Sequence, residues 1–577
     1  MKAKLYSLKT VCVLLAAILL LSACGSGNAK TQQQQPAQTE AASQAATTQS
    51  TTTQATTTQS KEESLVTPPG EFPVVTKPVT LSFFTPQAPN IPDMLTNEFT
   101  VMYEEKTGVH IEWELVPMNA LGEKKSISLA SGQYPDVYFA ANITREEVMV
   151  YGPGGIFIAL NDLIDKYNPE LVKLYDEDPT VLPAITAPDG NIYSYPTTNG
   201  NRHGLYASRL WFNKEFADNL GIPMPTTTDE FYDAMQAFKT QDPNKNGKND
   251  EIPLVIAYAL GDLTYFMNSF VYFNAGDGFI VSSDDKVTSA FNQDGWKEAI
   301  IYLNKLYKNE LLDQTSFTLS GEQLRQLIEN DAAMMVGAAP GMAPSSIMNP
   351  SGDRQHSYIA LPPLKGPQGV QYTGYYPYTT SMGNMVVTKA CKYPEVAARW
   401  VDWLYTWEGA LTSREGPEGK GWKVPDPGTI SYAGIPATYM RLAIYGADSN
   451  FKWDGIGYPH NMDIHPQMAL DPAATIRQPE VLYQAAVEYC PFRPEKVLPP
   501  MYMPNDIVKE YAQYKTDITK FVTDYTVRFI TGNANIESEW SSYINNLDKM
   551  GIDKYIKITQ DAYDEFVKVN GQPKYKI

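Results

Sequence analysis

Histidine and cysteine are scarce in this chain, five and four among 577 residues. His110, His203, His356, His460 and His465 form no H-E-x-x-H, and neither a G-x-S-x-G elbow nor a G-x-x-x-x-G-K-[ST] loop is present, so the familiar hydrolase and nucleotide-binding signatures are missing. His460, Asp463 and His465 offer metal donors, but an ordinary loop face is the better reading of them. Paired carboxylates for glycoside hydrolysis can always be picked from 65 acidic residues and so prove nothing. Positive charge is also short, 46 basic against 65 acidic residues for a net −19. With no clustered Lys or Arg run, the phosphate attraction that drives nucleic-acid binding is lacking. There is no repeat of fixed period, which argues against an adhesin or other repeat-built surface protein. After the first two dozen residues no apolar run is long enough to span a membrane.

What is present begins with a leader. Lys2, Lys4 and Lys9 precede VCVLLAAILLL, a run too short for an ordinary span and typical of an export signal over residues 1–23. It ends in Leu21-Ser22-Ala23-Cys24-Gly25, which resembles the lipobox of bacterial lipoproteins. Small residues admit a peptidase, and the Cys24 thiol would accept a diacylglycerol group. Each buried methylene of such chains adds about 0.8 kcal/mol of membrane affinity, so the expected location is the extracellular face of the cell membrane, lipid-anchored. Residues 25 to 64, rich in Gln, Thr and Ala, carry almost no large apolar side chain and read as a flexible tether. The Pro-rich stretch to Thr76 is counted with it, so the tether is expected over 24–76. Cys12 leaves with the leader, and Cys391 and Cys490 remain as either a disulfide or two separate thiols.

The body from Lys77 is 43% hydrophobic and 12% aromatic over the whole-chain composition, enough to bury a large core. VTLSFF at 79–84 reads as a strand and TNEFTVMYEEKTG as a helix with Phe99, Met102 and Tyr103 on one face, closed by Gly108. In VHIEWELV, Val109, Ile111, Trp113 and Leu115 alternate with polar residues as a half-covered strand does. A helix over Glu123–Ala130 and a short strand over Pro135–Ala140 complete an α/β pattern with a mainly parallel sheet. Thr227 and Glu230 have capping-box spacing at the head of a helix bearing Phe231, Ala234, Met235 and Phe238. Further helices are expected over WKEAIIYLNKLYKNELL, with Ile300, Leu303, Leu306 and Tyr307 on a stripe, and over PEVAARWVDWLYTWEGAL, where Trp400, Trp403, Leu404 and Trp407 are assigned to the core.

One segment carries metal-site spacing. Asp242-Pro243-Asn244-Lys245-Asn246-Gly247-Lys248-Asn249-Asp250-Glu251 puts oxygen side chains at positions 1, 3, 5 and 9 with Gly at 6, as a calcium loop does. Position 12 is Pro253 rather than a bidentate Glu, and Glu251 is the only candidate replacement. A polar Asn-Gly turn is the alternative.

The segments ISLASGQYPDVYFA (127–140), GIFIALNDLIDKYNPEL (155–171), APDGNIYSYP (187–196) and LWFNKEFADNLGIPMPTTTDEFYDAMQAFKTQDPNKNGKNDEIPL (210–254), followed by SMGNMVVTKACKYPEVAARWVDWLY, together resemble the bacterial extracellular solute-binding lipoproteins of ABC importers, in the branch of oligosaccharide and alginate binders. The resemblance implies an α/β, two-lobed periplasmic-binding-protein-like fold with a ligand cleft between the lobes. It places lobe one at about 77–197 and 379–440 and lobe two at about 198–378 and 441–577. It further implies one structural calcium held by Asp242, Asn244, Asn246, the Lys248 carbonyl, Asp250 and Glu251. Its cleft loops would carry Tyr195, Asn199, Tyr265, Phe266, Tyr375, Tyr376, Tyr378 and Trp422, aromatic rings being suited to sugar faces. The expected function is capture of an oligosaccharide by a non-enzymatic monomer and delivery to ABC permease subunits. A glycan-degrading surface lipoprotein, or a binder of peptides or other polar solutes, is the alternative.

Overall fold

A computed structural model describes residues 64–572 apart from 200, 258–262, 275–277, 379, 445, 454–455, 457–459, 462–464, 476 and 505. The leader, Cys24 and the low-complexity segment lie outside the described residues. The strands are β1 (Val79–Gln87), β2 (Val109–Pro117), β3 (Val137–Phe139), β4 (Tyr195–Asn199), β5 (Arg209–Asn213), β6 (Ile252–Leu254), β7 (Phe279–Val281), β8 (Val287–Ser289), β9 (Val336–Gly341), β10 (Tyr358–Leu361), β11 (Thr380–Val387), β12 (Trp422–Lys423), β13 (Tyr439–Arg441), β14 (His460–Asn461) and β15 (Met468–Leu470).

The alternation read at 109–116 builds β2, which runs parallel to β1 in register from Val79 opposite Val109 to Gln87 opposite Pro117. The helix Glu98–Thr107 between them starts at Asn97, whose side chain accepts from the Phe99 and Thr100 amides, and stops where Gly108 turns left-handed, a conformation that costs a residue with a Cβ. The full sheet has the order β14-β4-β11-β3-β1-β2. Its buried face is aromatic. Phe83 lies 5.4 Å from Trp113, 5.9 Å from Phe139 and 5.0 Å from Trp400, ring centre to ring centre, and each such ring contributes roughly 1.5–3 kcal/mol on burial. Met102 is only half buried.

A second sheet has the order β10-β5-β9-β6. The capping box forms as read, with Thr227 and Glu230 satisfying each other's amides at the head of the helix Thr228–Thr240. That helix sets Phe231 and Phe238 against Phe212 of β5. The helix Asp294–Lys308 buries Ile300, Leu303 and Leu306 and packs on the helix Val508–Thr531, where the Asn304 amide donates to the Phe529 and Ile530 carbonyls at 3.0 and 2.8 Å. Helices Ile536–Lys549 and Ile552–Asn570 follow. The chain crosses between the two sheets from β4 to β5 and returns from β10 to β11, as a two-lobed molecule requires. Among the described residues no helix is long and apolar enough to cross a membrane.

Three expectations are corrected here. Residues 64–76 are not tether: Val66 and Val75 bridge, Val74 is fully buried, and the Arg399 guanidinium donates to the carbonyls of Thr67, Pro68 and Glu71 at 3.2, 2.9 and 3.0 Å. Valines spaced among prolines looked like linker but find an apolar seat on the first lobe. The boundary expected at 440 falls inside β13, and β14 extends the first sheet by pairing with β4. The helix expected from Pro394 breaks: it runs Pro394–Asp402, passes through a tight turn at Trp403–Tyr405 and restarts at Trp407. Thr406 caps the new helix through the Gly409 amide, and a Cβ on Gly409 would stand 2.0 Å from the Trp403 carbonyl oxygen. The break leaves Trp407 exposed while Trp400, Trp403 and Leu404 are buried.

Candidate functional site

Parallel strands of an open α/β sheet present ligands at their carboxyl ends. In the first lobe β1, β2 and β3 end at Gln87, Pro117 and Phe139. After β3 the chain turns through Thr144, which with Glu147 forms a capping box, into the short helix Arg145–Tyr151. Opposite stand Tyr511 and Lys515 of the 508–531 helix, with the crossover strand β11 beside them. Between these elements lies a cavity of about 420 Å³, lined among others by Arg145, Glu146, Tyr376, Thr380, Tyr511 and Lys515. That volume falls in the range of small-molecule sites.

The cavity holds unspent hydrogen-bonding capacity. Nε and Nη2 of Arg145 and Oγ1 of Thr380 are buried with no partner, a costly state that a bound hydroxyl or carbonyl relieves. The Arg145 guanidinium sits 5.8 Å from the centre of the Tyr502 ring, and the Tyr502 hydroxyl donates to the Ile185 carbonyl at 3.2 Å, so the carboxy-terminal segment is tied to the first lobe. Lys515 Nζ lies 3.4 Å from Glu146 Oε1. Burial works to raise the Glu146 carboxyl, but Lys515 and hydrogen bonds at the start of its helix outweigh it and hold the group below its ordinary value.

Of the aromatic residues expected in the cleft, Tyr376 lines this cavity and is 40% exposed. Tyr195 is corrected to a core residue, fully buried with its hydroxyl on Asn168 Oδ1 at 3.1 Å. Tyr265 and Phe266 are corrected likewise: the Tyr265 hydroxyl donates to the Pro362 carbonyl at 2.7 Å, and the buried Phe266 packs against Phe231 of the 228–240 helix. Tyr375 is buried and stacked 5.2 Å from Tyr206. Tyr378 is buried with its hydroxyl on the Val497 carbonyl at 2.8 Å. Trp422 belongs to the small sheet β12-β13-β15, its Nε1 donating to the Gly416 carbonyl at 3.0 Å. Asn199 closes β4 opposite Asn461, and its side chain lies outside the described residues, as do those of His460, Asp463 and His465. Sequence reasoning missed Arg145, Thr380, Tyr511 and Lys515. A signal existed for Arg145, since a cation in the first turn of a helix opposes the helix dipole and needs another reason to be there.

The oxygen-rich loop joins the 228–240 helix to β6, and none of its residues lines the cavity. Asp242 and Lys245 take positive φ values of 48° and 57° and Gly247 one of 84°, which coils the loop tightly. Asp242 accepts from the Asn246 and Gly247 amides at 3.0 and 2.9 Å, Asn246 Oδ1 from the Lys248 amide at 2.8 Å, and Asp250 Oδ1 from Asn246 Nδ2 at 3.0 Å. Glu251 accepts from the Asn244 amide at 3.2 Å through Oε1, while its Oε2 is buried without a partner. Burial raises the Glu251 carboxyl, and the charges of Asp242 and Asp250 add to the rise. An orphaned buried carboxylate oxygen among like charges fits a hard cation. Among the described residues no group of three or more His, Cys, Asp or Glu is drawn together tightly enough to hold a metal by itself, and half of the expected donors here are amides and a carbonyl. Cys391 and Cys490 are separate thiols.

Relatives agree with this architecture. The chain is 27% identical, over 98% of its length and 99% of the relative's, to the fructooligosaccharide ABC transporter substrate-binding protein FusA of Streptococcus pneumoniae serotype 4. The structure of the S. pneumoniae protein FusA in complex with kestose matches with a TM-score of 0.74 and 25% identity over 85% of this chain and all of that one. An EF-hand mutant of FusA in complex with fructo-nystose matches with a TM-score of 0.71 and 25% identity over the same shares of both chains. The model of the bacterial extracellular solute-binding protein family matches residues 86–410, and the chain belongs to that family.

Proposed function

We propose that this chain is the substrate-binding subunit of a carbohydrate ABC importer and that its ligand is an oligosaccharide of the fructooligosaccharide class. The observation that carries the reading is the cavity between the lobes, where partnerless polar atoms of Arg145 and Thr380 stand beside the exposed Tyr376 ring. Donors and an aromatic face are what a polyhydroxylated ring engages. The likeness to FusA supports the ligand class. Lobe closure adds contacts available in the closed form alone, so ligand shifts the population toward a shape a permease distinguishes. We assign lobe one to residues 64–199 and 380–470 and lobe two to 209–361, following the sheets, and join the helical segment 478–572 to lobe two because the 508–531 helix packs on the 294–308 helix. The protein works as a monomer without catalysis. Acylation of Cys24 holds the protein at the outer membrane face. Calcium, where bound, is held by Asp242, Asn244, Asn246, the Lys248 carbonyl, Asp250 and Glu251 and pins the turn. Titration calorimetry with fructooligosaccharides, with the mixture then checked for products, tests the reading: saturable heat with intact ligand is expected, whereas cleavage or no binding to any glycan overturns it.

A further inference from the structure

The Glu146–Lys515 pair joins the helix Arg145–Tyr151 of lobe one to the helix Val508–Thr531 of lobe two, and it stands where two cavities meet. Thr144, Glu146 and Lys515 line both the inner cavity of about 420 Å³ and an outer groove of about 960 Å³ that follows the 508–531 helix past Phe317. The pair and Thr144 are thus a shared wall. Beyond it, Thr516, Thr519 and Thr523 follow one another on one helix face and line the groove. The hydroxyls of Thr516 and Thr523 donate to carbonyls one turn back, at 2.8 and 2.7 Å, which leaves their oxygen lone pairs to accept from a ligand. Phe317 adds an apolar face. Acceptor oxygens beside a ring, with Lys520 and Asp524 also in the lining, continue the polar and aromatic surface of the inner cavity and suit a polyol chain.

We propose that the outer groove is a second glycan subsite and that the Glu146–Lys515 pair is the gate between it and the inner cavity, so that the closed gate selects short chains and the open gate admits longer ones. This inference rests on the oligosaccharide reading above. Both side chains keep contact with water, and an ion pair in that setting holds weakly, which suits a partition that must yield to an advancing chain. A hydrophobic plug at the same place would hold too firmly for that purpose.

The test uses the full chain, its Glu146→Gln and Lys515→Met variants, and the charge-swapped double variant with Glu146→Lys and Lys515→Glu. Affinity is measured across a graded length series of fructooligosaccharides, and hydrogen exchange of residues 143–151 and 508–516 is measured without ligand. Each single variant is expected to bind the long members roughly two- to fivefold more tightly relative to the short ones, a range set by what a weak ion pair holds shut. The charge swap is expected to restore the original preference, which a merely structural lesion does not allow. Exchange in the two segments is expected to rise in the single variants and to return in the swap. Length preference unchanged in the single variants, or unrestored by the swap, overturns the gate. If the unaltered chain binds no fructooligosaccharide, the ligand assignment fails by itself, and the exchange data still decide: unchanged protection of the two segments overturns the gate, and a rise reversed by the swap supports it.

Discussion

Asp402 illustrates how a single residue couples packing to pH. It is buried at the end of the helix Pro394–Asp402 and accepts from the Glu170 amide at 3.1 Å at the head of the helix Pro169–Glu177. Burial pushes its carboxyl up to about 7 from 3.8, with the Glu170 charge adding, while the Glu170 and Leu171 amides and Arg399 pull the other way. The folded state therefore keeps this proton to higher pH than the unfolded chain does. Stability from this group is full below about pH 4 and is lost as pH rises to about 7, a decline on the order of 2–4 kcal/mol. Replacing Asp402 with Asn keeps an acceptor without the charge and should flatten that decline, read as melting temperature against pH. In the oxygen-rich loop, calcium at a hundredfold excess over its dissociation constant should stabilise the unaltered protein by about 2.7 kcal/mol, read as a rise in melting temperature, and Asp242→Ala and Glu251→Gln should each abolish that rise. A calcium response that survives both substitutions removes the site.

At the scale of elements, the segment 64–76 is a strap seated through its buried valines and pinned by the Arg399 side chain. Arg399 is buried, and its hydrogen-bonding groups reach three carbonyls of the strap. Arg399→Ala leaves those carbonyls unpaired over a void and should cost about 2–3 kcal/mol in urea unfolding. Proteolysis should then reach the strap before the rest of lobe one. Much of this level was legible beforehand. The Thr227–Glu230 box, the Asn97 to Gly108 helix and the alternation in β2 are local codes, written in residues a few positions apart, and each formed where it was read. The break at Trp403–Tyr405 was not legible, because the 394–411 stripe is apolar on a helical period. The turn depends on a close approach of Gly409 to the Trp403 carbonyl.

For the whole molecule, function turns on what the two lobes bring together. Arg145 reaches the cavity from the end of the β3 connection, Thr380 from the returning crossover, and Tyr376 from the loop before it. Arg145→Ala should weaken glycan binding roughly 10- to 100-fold, the worth of hydrogen bonds from a charged donor, with the melting temperature of the free protein unchanged. An equal loss of stability and affinity would instead mark a structural role. The eight residues nominated for the cleft show why such sites resist sequence reading. Tyr195, Tyr265 and Tyr376 are chemically alike along the chain, and only packing decides that the first two spend their hydroxyls inside a lobe while the third faces the cavity.

What the sequence determined by itself was the acidic composition, the alternation of strands and helices, and the oxygen-rich spacing at 242–251, because each is fixed by composition or by neighbours within a few residues. The tertiary structure alone decided that residues 64–76 fold, that Cys391 and Cys490 stay apart, and that Arg145, Thr380, Tyr376 and Lys515 meet in one cavity. Those outcomes depend on contacts between residues hundreds of positions apart, where burial, not local propensity, sets which polar atoms are left for a ligand.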